Sequence, residues 1–258
     1  MTEFSWNQRN TRGHRPRLQW FHFSSESQFF LMSPEIFFAI IQFIVLLLSL
    51  SVHESAHAWT ADVLGDPTAR YLGRVSLNPL VHADPFGTFL LPLIGVFFLG
   101  GAMFGWAKPV PVNVNRLRRP SRDHMLVAAA GPISNLMLAT LFFTVLMVAK
   151  LLSADSARLL TQFVYGIAAD GNTVLTPLIA FAYYGVVINL VLAVFNLIPI
   201  MPLDGAAVLY GLLPGSLSGA FSQMQSYGFI LILGLLYLGV PEMLYRPVIN
   251  FVQSFLVA

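Results

Sequence analysis

Two histidines and a glutamate lie close together in an apolar part of the chain, in the order His53-Glu54-Ser55-Ala56-His57. If this stretch is helical, the i and i+4 spacing puts both imidazoles on one face, about one turn apart, where they can share a metal ion. Glu54 is rotated by about 100° from His53, so its carboxylate lies beside the ligand face. This geometry suits a general base that takes a proton from metal-bound water.

A catalytic zinc ion takes three protein ligands and one water, so a third ligand must come from elsewhere in the chain. Asp62 is turned about 140° away from His57 on the same helix, and Asp66 and Asp84 precede prolines in predicted loops. Asp204 ends an apolar run that two prolines interrupt, which a membrane tolerates where the backbone faces protein or water. The alternative for Asp204 is a surface turn. We predict Asp204 as the third ligand, with Asp84 as the next candidate.

The composition is that of a membrane protein. Of the 258 residues, 56% are hydrophobic and 10% are charged, whereas soluble domains carry about 25% charged residues. A span needs about 20 apolar residues, and four stretches are long enough: 36–62, 123–152, 177–203 and 221–240. A fifth stretch, 86–106, is broken by proline and glycine. We therefore expect a membrane all-α fold, a polytopic helix bundle, in which residues 86–106 are re-entrant.

Two regions of different composition define the predicted domain organisation. Residues 1–33 are polar and show no apolar periodicity, so they are interpreted as a loosely ordered tail. Residues 34–258 are expected to form a single membrane domain. The net charge of +2 gives no reason to expect a nucleic-acid partner. The chain contains no cysteine, so a transition metal must be held by nitrogen and oxygen donors. Zinc is the favoured metal, and the alternatives are manganese, cobalt and iron.

Two paired motifs resemble the site-2 protease family of intramembrane zinc metalloproteases, in its compact form without PDZ or CBS domains. The first is His53-Glu54-x-x-His57, and the second is Asn196-x-x-Pro199 leading into Leu203-Asp204-Gly205. The resemblance extends to the loop 78–88, to residues 105–113 and to Gly131-Pro132-Ile133-Ser134-Asn135. It implies that His53, His57 and Asp204 bind one Zn²⁺, that Glu54 activates water, and that Asn196 contacts the substrate backbone.

Three further polar residues each allow two interpretations. Asn196 can polarise a scissile carbonyl or only satisfy carbonyls near a helix end. Asn135 lies one turn after Gly131, a spacing typical of helix packing with an interhelical hydrogen bond, and the alternative is an accessory role in the site. His82 lies in a loop rich in turn residues and is a structural hydrogen-bonding group or a residue that orients the site.

Residues 70–78 and 108–114 alternate in polarity, which predicts two short strands. The family resemblance implies a small membrane-associated β-sheet beside the active site. An unwound substrate strand could pair with the edge of such a sheet through main-chain hydrogen bonds.

The function that these patterns favour is hydrolysis of peptide bonds within or beside transmembrane segments of membrane-protein substrates. The alternative is a metal-binding membrane protein without hydrolysis, either a transporter or an inactive pseudoprotease. Glu54 favours the protease, because a site that only binds metal needs no carboxylate beside the water.

Topology follows from the metal site. His53 and Asp204 reach one ion only if their helices run parallel, and the basic residues between them then mark that face as cytoplasmic, in a bacterial cytoplasmic membrane. This places Arg9, Arg12, Arg15 and Arg17 outside, against the positive-inside rule. The metal geometry takes precedence, because a ligand cannot lie on the wrong side of a bilayer, whereas a charge bias is statistical. The expected partners are a transmembrane substrate and lipid.

Overall fold

The computed structural model describes residues 34–98, 105–167, 174–214 and 227–258. The predicted N-terminal tail, residues 1–33, lies outside these ranges. The described helices are α1 Pro34–Val63, α2 Thr68–Tyr71, α3 Pro79–His82, α4 Leu91–Phe98, α5 Pro120–Leu152, α6 Ala154–Val164, α7 Leu175–Asn196, α8 Asp204–Leu212, α9 Gly228–Tyr237 and α10 Val240–Val257. A π-helical turn, Pro85–Leu90, precedes α4, and a 3-10 turn, Val114–Arg116, precedes α5.

Three helices are long and apolar enough to cross a membrane: α1 with 30 residues, α5 with 33 and α7 with 22. The pair α9 and α10 is bent by 62° and amounts to a fourth span if it is counted as one. The membrane all-α class is thereby confirmed. The predicted stretch 221–240 is described only from residue 227, where α9 carries its apolar part.

Local sequence explains where the spans begin. Both α1 and α5 start at a proline, a residue suited to the first helical position because its missing N–H has no helical partner there. At the start of α5 the Asp123 carboxylate also accepts the Arg119 backbone N–H at 2.8 Å, which satisfies a donor that the helix leaves unpaired.

Helix α5 is the centre of the bundle, since it packs against α1, α7 and α8. Its inward residues Ala139 and Leu146 are buried in a core shared with α6, α7 and α10. Its outward residues include Ile133, Leu141 and Val145, which are large, apolar and exposed. An apolar outer surface on a long apolar helix is expected where the surrounding medium is lipid.

The predicted small β-sheet is wrong for the residues that the structure describes, because none of them forms a strand. Residues 70–78 begin inside α2 and then turn at Gly73, whose φ of +68° is left-handed. Residues 108–113 form neither a helix nor a strand, and the 3-10 turn begins at Val114.

The reason lies in the hydrogen bonds that the backbone of residues 108–113 makes. Pro109 and Pro111 have no N–H to donate to a ladder. The Lys108 and Pro109 carbonyls accept from the Arg74 guanidinium, the second at 3.3 Å. The Val110 N–H donates to a side chain and not to a strand. Side chains, and not a neighbouring strand, therefore take up these backbone groups.

The two ends of the predicted re-entrant stretch lie side by side. The Lys108 N–H donates to the His82 carbonyl at 2.8 Å, and the Trp106 N–H donates to the Gly87 carbonyl at 3.2 Å. The Thr88 hydroxyl donates to the Trp106 carbonyl at 2.8 Å. Residues 99–104, which come between these two ends in the sequence, lie outside the described ranges.

Candidate metal centre

Three side chains from two distant parts of the sequence converge at one point. Nε2 of His53 lies 3.0 Å from Nε2 of His57 and 3.1 Å from Oδ2 of Asp204. Nε2 of His57 lies 3.4 Å from Oδ1 of Asp204. Among the described residues these three form the group of metal-ligating side chains whose donor atoms all lie within 4.8 Å of one another.

This group fits a zinc ion. Nitrogen and oxygen ligands at about 2.0–2.1 Å from a tetrahedral zinc lie about 3.3 Å from one another, close to the separations observed. Oδ2 of Asp204 is buried without a hydrogen-bond partner among the described residues, although it faces Nε2 of His53. A cation between these atoms satisfies both, and two nitrogens with one carboxylate oxygen suit zinc.

Local structure places each ligand. His53 and His57 occupy successive turns of α1, as the i and i+4 spacing predicts, and both are buried. Asp204 is the first residue of α8, which starts directly after the proline-rich turn that follows α7. A Cβ on Gly205 would lie 2.2 Å from the Leu197 carbonyl oxygen, so only glycine permits this close approach of α8 to the end of α7.

Each imidazole has a partner for its second ring nitrogen. Nδ1 of His57 donates to the Val127 carbonyl at 2.7 Å, since a carbonyl only accepts. Nε2 of His57 therefore presents a lone pair to the group. Nδ1 of His53 lies 2.6 Å from Oδ1 of Asn135. Such outer contacts orient metal ligands and fix their tautomers.

Helix α5 crosses directly over the two imidazoles at Gly131. A Cβ at this position would lie 2.4 Å from Nε2 of His57 and 2.6 Å from Cε1 of His53. Asn135, one turn later, is fully buried and reaches His53. The motif Gly131-Pro132-x-x-Asn135 therefore lies against the candidate metal ligands, and the accessory role of Asn135 stays a prediction.

Glu54 lies beside the ligand histidines on α1, and its carboxylate is held by the segment 108–113. Oε2 of Glu54 accepts the Val110 backbone N–H at 2.9 Å. The neighbouring Ser55 hydroxyl donates to the Ser76 carbonyl. The carboxylate is therefore oriented by a backbone donor, and its second oxygen, Oε1, is a separate acceptor.

The other three aspartates considered as ligands form hydrogen bonds or ion pairs with groups other than the two histidines. Oδ1 of Asp84 caps the π-helical turn by accepting the N–H groups of Phe86 and Gly87 at 3.0 and 2.7 Å. Asp62 forms an ion pair with Arg70. Burial alone would raise the pKa of Asp66, but hydrogen bonds from Thr68 and from the Asn113 N–H hold it below its usual value. Asp204 is the acid that reaches the histidines.

His82 is buried outside the metal group. Its Nε2 bonds to the Ser76 carbonyl at 2.7 Å and lies 3.3 Å from the Ser55 hydroxyl. Burial lowers the pKa of His82 from its ordinary value of 6.5. These contacts attach the loop to α1 next to Glu54, which agrees with the structural interpretation of His82.

Asn196 is the last residue of α7, and its side-chain amide donates to the Leu192 carbonyl at 2.9 Å. This is the helix-end contact that the sequence left open, and it does not join Asn196 to the histidines.

Sequence reasoning missed Asn189. This residue of α7 is fully buried, and its Oδ1 accepts from Nδ2 of Asn135 at 2.8 Å. The available signal was a carboxamide inside an apolar span, since polar groups there need a partner on a neighbouring helix.

Comparisons with known proteins found a matching family and related sequences. Residues 41–238 match the family description Peptidase family M50. The chain is 38% identical over 207 residues to a Bacillus subtilis protein named "Putative zinc metalloprotease YwhC", covering 80% of this chain and 84% of the relative. It is 30% identical over 195 residues to "Putative zinc metalloprotease Rip2" of Mycolicibacterium smegmatis, covering 74% of this chain and 64% of the relative. The chain thus spans less than two thirds of the length of that second relative.

The search of solved structures found no match. The family match covers most of the chain, both relatives carry zinc metalloprotease in their names, and two of the three candidate ligands, His53 and His57, lie on an apolar helix long enough to cross a membrane. The chain therefore belongs to peptidase family M50, the site-2 protease family, and is an intramembrane zinc metalloprotease.

Proposed function

We propose that this protein hydrolyses peptide bonds within or beside the transmembrane segments of membrane-protein substrates, with Glu54 as general base and with His53, His57 and Asp204 as the ligands of one zinc ion. The observation that carries the proposal is that the three donor atoms lie within 4.8 Å of one another, two of them on the helix that also bears Glu54 and the third on α8. A metal with one open position and a carboxylate beside it is the arrangement of zinc peptidases.

Each residue has a defined role in this reaction. When bound, zinc polarises the scissile carbonyl and acidifies water. The Val110 N–H holds Oε2 of Glu54 in place, and Oε1 of Glu54 accepts the proton of the attacking water. Glu54 then delivers that proton to the leaving amine nitrogen. The Val127 carbonyl keeps the His57 ring in its ligand orientation.

The substrate must unwind locally before cleavage, because the carbonyls of a helix are engaged in its own hydrogen bonds. Asn196 is proposed to contact the unwound substrate backbone with its carboxamide. Its position supports this, because it ends α7 just before the turn that leads to Asp204. The amide would exchange the Leu192 carbonyl for the substrate during the reaction.

The proposed topology has α1 and α7 parallel and α5 antiparallel, with residues 86–106 re-entrant. Its support is the hydrogen-bonded hairpin base between residues 82–88 and 105–108. A segment that crossed the bilayer would separate these ends by about 30 Å. Proline and glycine at membrane depth are tolerated where protein covers the backbone.

The proposed orientation places the metal end toward the cytoplasm of a bacterium. Basic residues gather at that end, between α1 and α5: Arg70, Arg74, Lys108, Arg116, Arg118, Arg119 and Arg122. An excess of lysine and arginine is typical of cytoplasmic loops. Bacterial relatives support a bacterial cytoplasmic membrane.

Hydrolysis and metal transport are separated by one reconstitution experiment. The purified protein is placed in liposomes with a fluorogenic single-span peptide, and both cleavage and zinc flux are recorded. We expect cleavage that Glu54→Gln abolishes and that Glu242→Gln, an exposed control paired with Arg246, leaves unchanged. Zinc flux without cleavage would contradict the protease and favour the transporter.

A further inference from the structure

We propose that Asn189 and Asn135 form a relay of two carboxamides that fixes His53 in the tautomer whose Nε2 can bind metal, so that both are positioning residues for the zinc site. The inference rests on the proposed ligand role of His53. It adds Asn189, a residue of a third helix that touches neither the metal ligands nor Glu54 in the contacts described.

The relay runs through three membrane helices. Nδ1 of His53 on α1 lies 2.6 Å from Oδ1 of Asn135 on α5. Nδ2 of Asn135 donates to Oδ1 of Asn189 on α7 at 2.8 Å. Nδ2 of Asn189 donates to the Gly185 carbonyl at 2.8 Å and to the Ser49 hydroxyl at 2.9 Å. Both asparagines have no exposed surface, so water cannot replace these partners.

The direction of every hydrogen bond follows from one end of the relay. The Gly185 carbonyl can only accept, so the group of Asn189 that faces it must be the NH₂. The oxygen of Asn189 then faces Asn135 and requires a donor, which only the NH₂ of Asn135 supplies. The oxygen of Asn135 is left facing His53, and His53 must carry its proton on Nδ1. Nε2 of His53 therefore presents a lone pair to the metal group.

The two histidines thus reach the same state by different means. His57 needs one hydrogen bond, because the Val127 carbonyl lies directly behind its Nδ1. His53 faces a carboxamide, whose two ends are similar in size and opposite in polarity. A carboxamide can rotate, so Asn135 alone does not determine the tautomer of His53. Asn189 removes that freedom by fixing which end of Asn135 faces the imidazole.

The test is the zinc affinity of the purified full-length protein, measured by competition with a chelator. Asn135→Leu removes the acceptor and should weaken zinc binding roughly 10- to 100-fold, the usual effect of losing such an outer contact. Asn189→Leu should weaken it less, because Asn135 remains but is no longer oriented. Asn135→Asp should stay closer to the wild type than Asn135→Leu, because a carboxylate only accepts and so keeps the proton of His53 on Nδ1.

Tyr183→Phe is the matched control. Tyr183 lies on the same helix as Asn189 and accepts a partly buried hydrogen bond from Nε2 of Gln253 at 2.7 Å, but this bond has no link to His53. The variant should lose stability without losing zinc affinity. If Asn135→Asp binds zinc as weakly as Asn135→Leu, or if Asn189→Leu binds it as tightly as the wild type, the relay is refuted. A wild type that binds no zinc refutes the proposed ligands as well.

A measurement on the wild type tests the proposal even if the variants do not fold. In zinc-free protein at alkaline pH, where imidazoles are neutral, the ¹⁵N chemical shifts of the His53 ring report which nitrogen carries the proton. Free histidine favours Nε2–H, whereas the relay predicts Nδ1–H. Assignment comes from the signals lost in His53→Gln. Observation of Nε2–H at His53 would overturn the proposal.

Discussion

A Cβ placed on Gly131 would lie 2.4 Å from Nε2 of His57. No heavy atom fits at that distance from a ring nitrogen, so glycine at this position lets α5 pass over the ligands. We predict that Gly131→Ala folds but displaces the imidazole, so that hydrolysis falls by about 100-fold, the usual effect of a misplacement of about 1 Å in an active site. Zinc content and turnover of the purified variant measure this.

The control for that substitution is Gly234→Ala. Gly234 lies in α9 and has no heavy atom within 4 Å of the position that a Cβ would take, and alanine favours a helix over glycine. This variant should retain full zinc content and turnover. If Gly131→Ala behaves in the same way, the close approach of α5 to the ligands is not required.

The re-entrant segment predicts which positions share a side of the membrane. Since the chain has no native cysteine, single cysteines can replace the exposed residues Leu77 and Ser121, with Asp155, beyond the far end of α5, as the opposite-side control. An impermeant thiol reagent should label the first two positions only in inverted vesicles and the third only in intact cells. Labelling of Leu77→Cys and Ser121→Cys from opposite sides would rule out the re-entrant topology.

The site was more predictable than the details around it. The spacing of His53 and His57 specifies one helical face, and apolar spans leave few acids to complete the site, so Asp204 could be named from the sequence. The acids it competed with are held by local hydrogen bonds, as Asp84 is by Phe86 and Gly87, which no spacing reveals. Long apolar runs likewise determined the spans, because lipid imposes their length.

The predicted β-sheet was wrong for a reason that a single sequence does not show. Alternation at 108–114 is the same pattern whether the partner is a strand or a side chain, and here Glu54 takes the Val110 N–H. The two prolines in that segment were the available warning. Asn189 was missed because its importance depends on which residue of another helix lies opposite, and packing alone decides that.

Asn196 offers a test of substrate contact. If its carboxamide stabilises the developing charge on the scissile carbonyl, Asn196→Ala should lower kcat roughly 10²- to 10³-fold with zinc content unchanged. Thr140→Val is a matched control, because the Thr140 hydroxyl makes the same kind of bond to a carbonyl four residues earlier, at 2.8 Å to Leu136. Equal kinetics for the two variants would leave Asn196 with only its helix-end contact.

The burial of His82 predicts that its contribution to the free energy of unfolding depends on pH. Burial lowers its pKa from 6.5, so the unfolded chain takes up the proton at higher pH than the folded protein does. Its contribution to the free energy of unfolding is therefore fully present above pH 6.5 and is lost as the pH falls toward the folded-state pKa. Thermal unfolding of zinc-free protein measures this across that range.

The control for that experiment is His82→Gln. Its side-chain amide can replace the imidazole as a donor to the Ser76 carbonyl, but it does not titrate. Its unfolding midpoint should fall less steeply than that of the wild type as the pH drops below 6.5. Identical slopes for the two proteins would show that His82 is not the source of the effect.

The most direct measurement is zinc content and peptide hydrolysis on one purified preparation of Glu54→Gln, alongside the wild type and His57→Phe. The general base and the metal ligands are different residues, so Glu54→Gln should hold about one zinc per chain, as the wild type does, and show no hydrolysis. His57→Phe should lose both. Full hydrolysis by Glu54→Gln, or full zinc content in His57→Phe, would contradict the central claim.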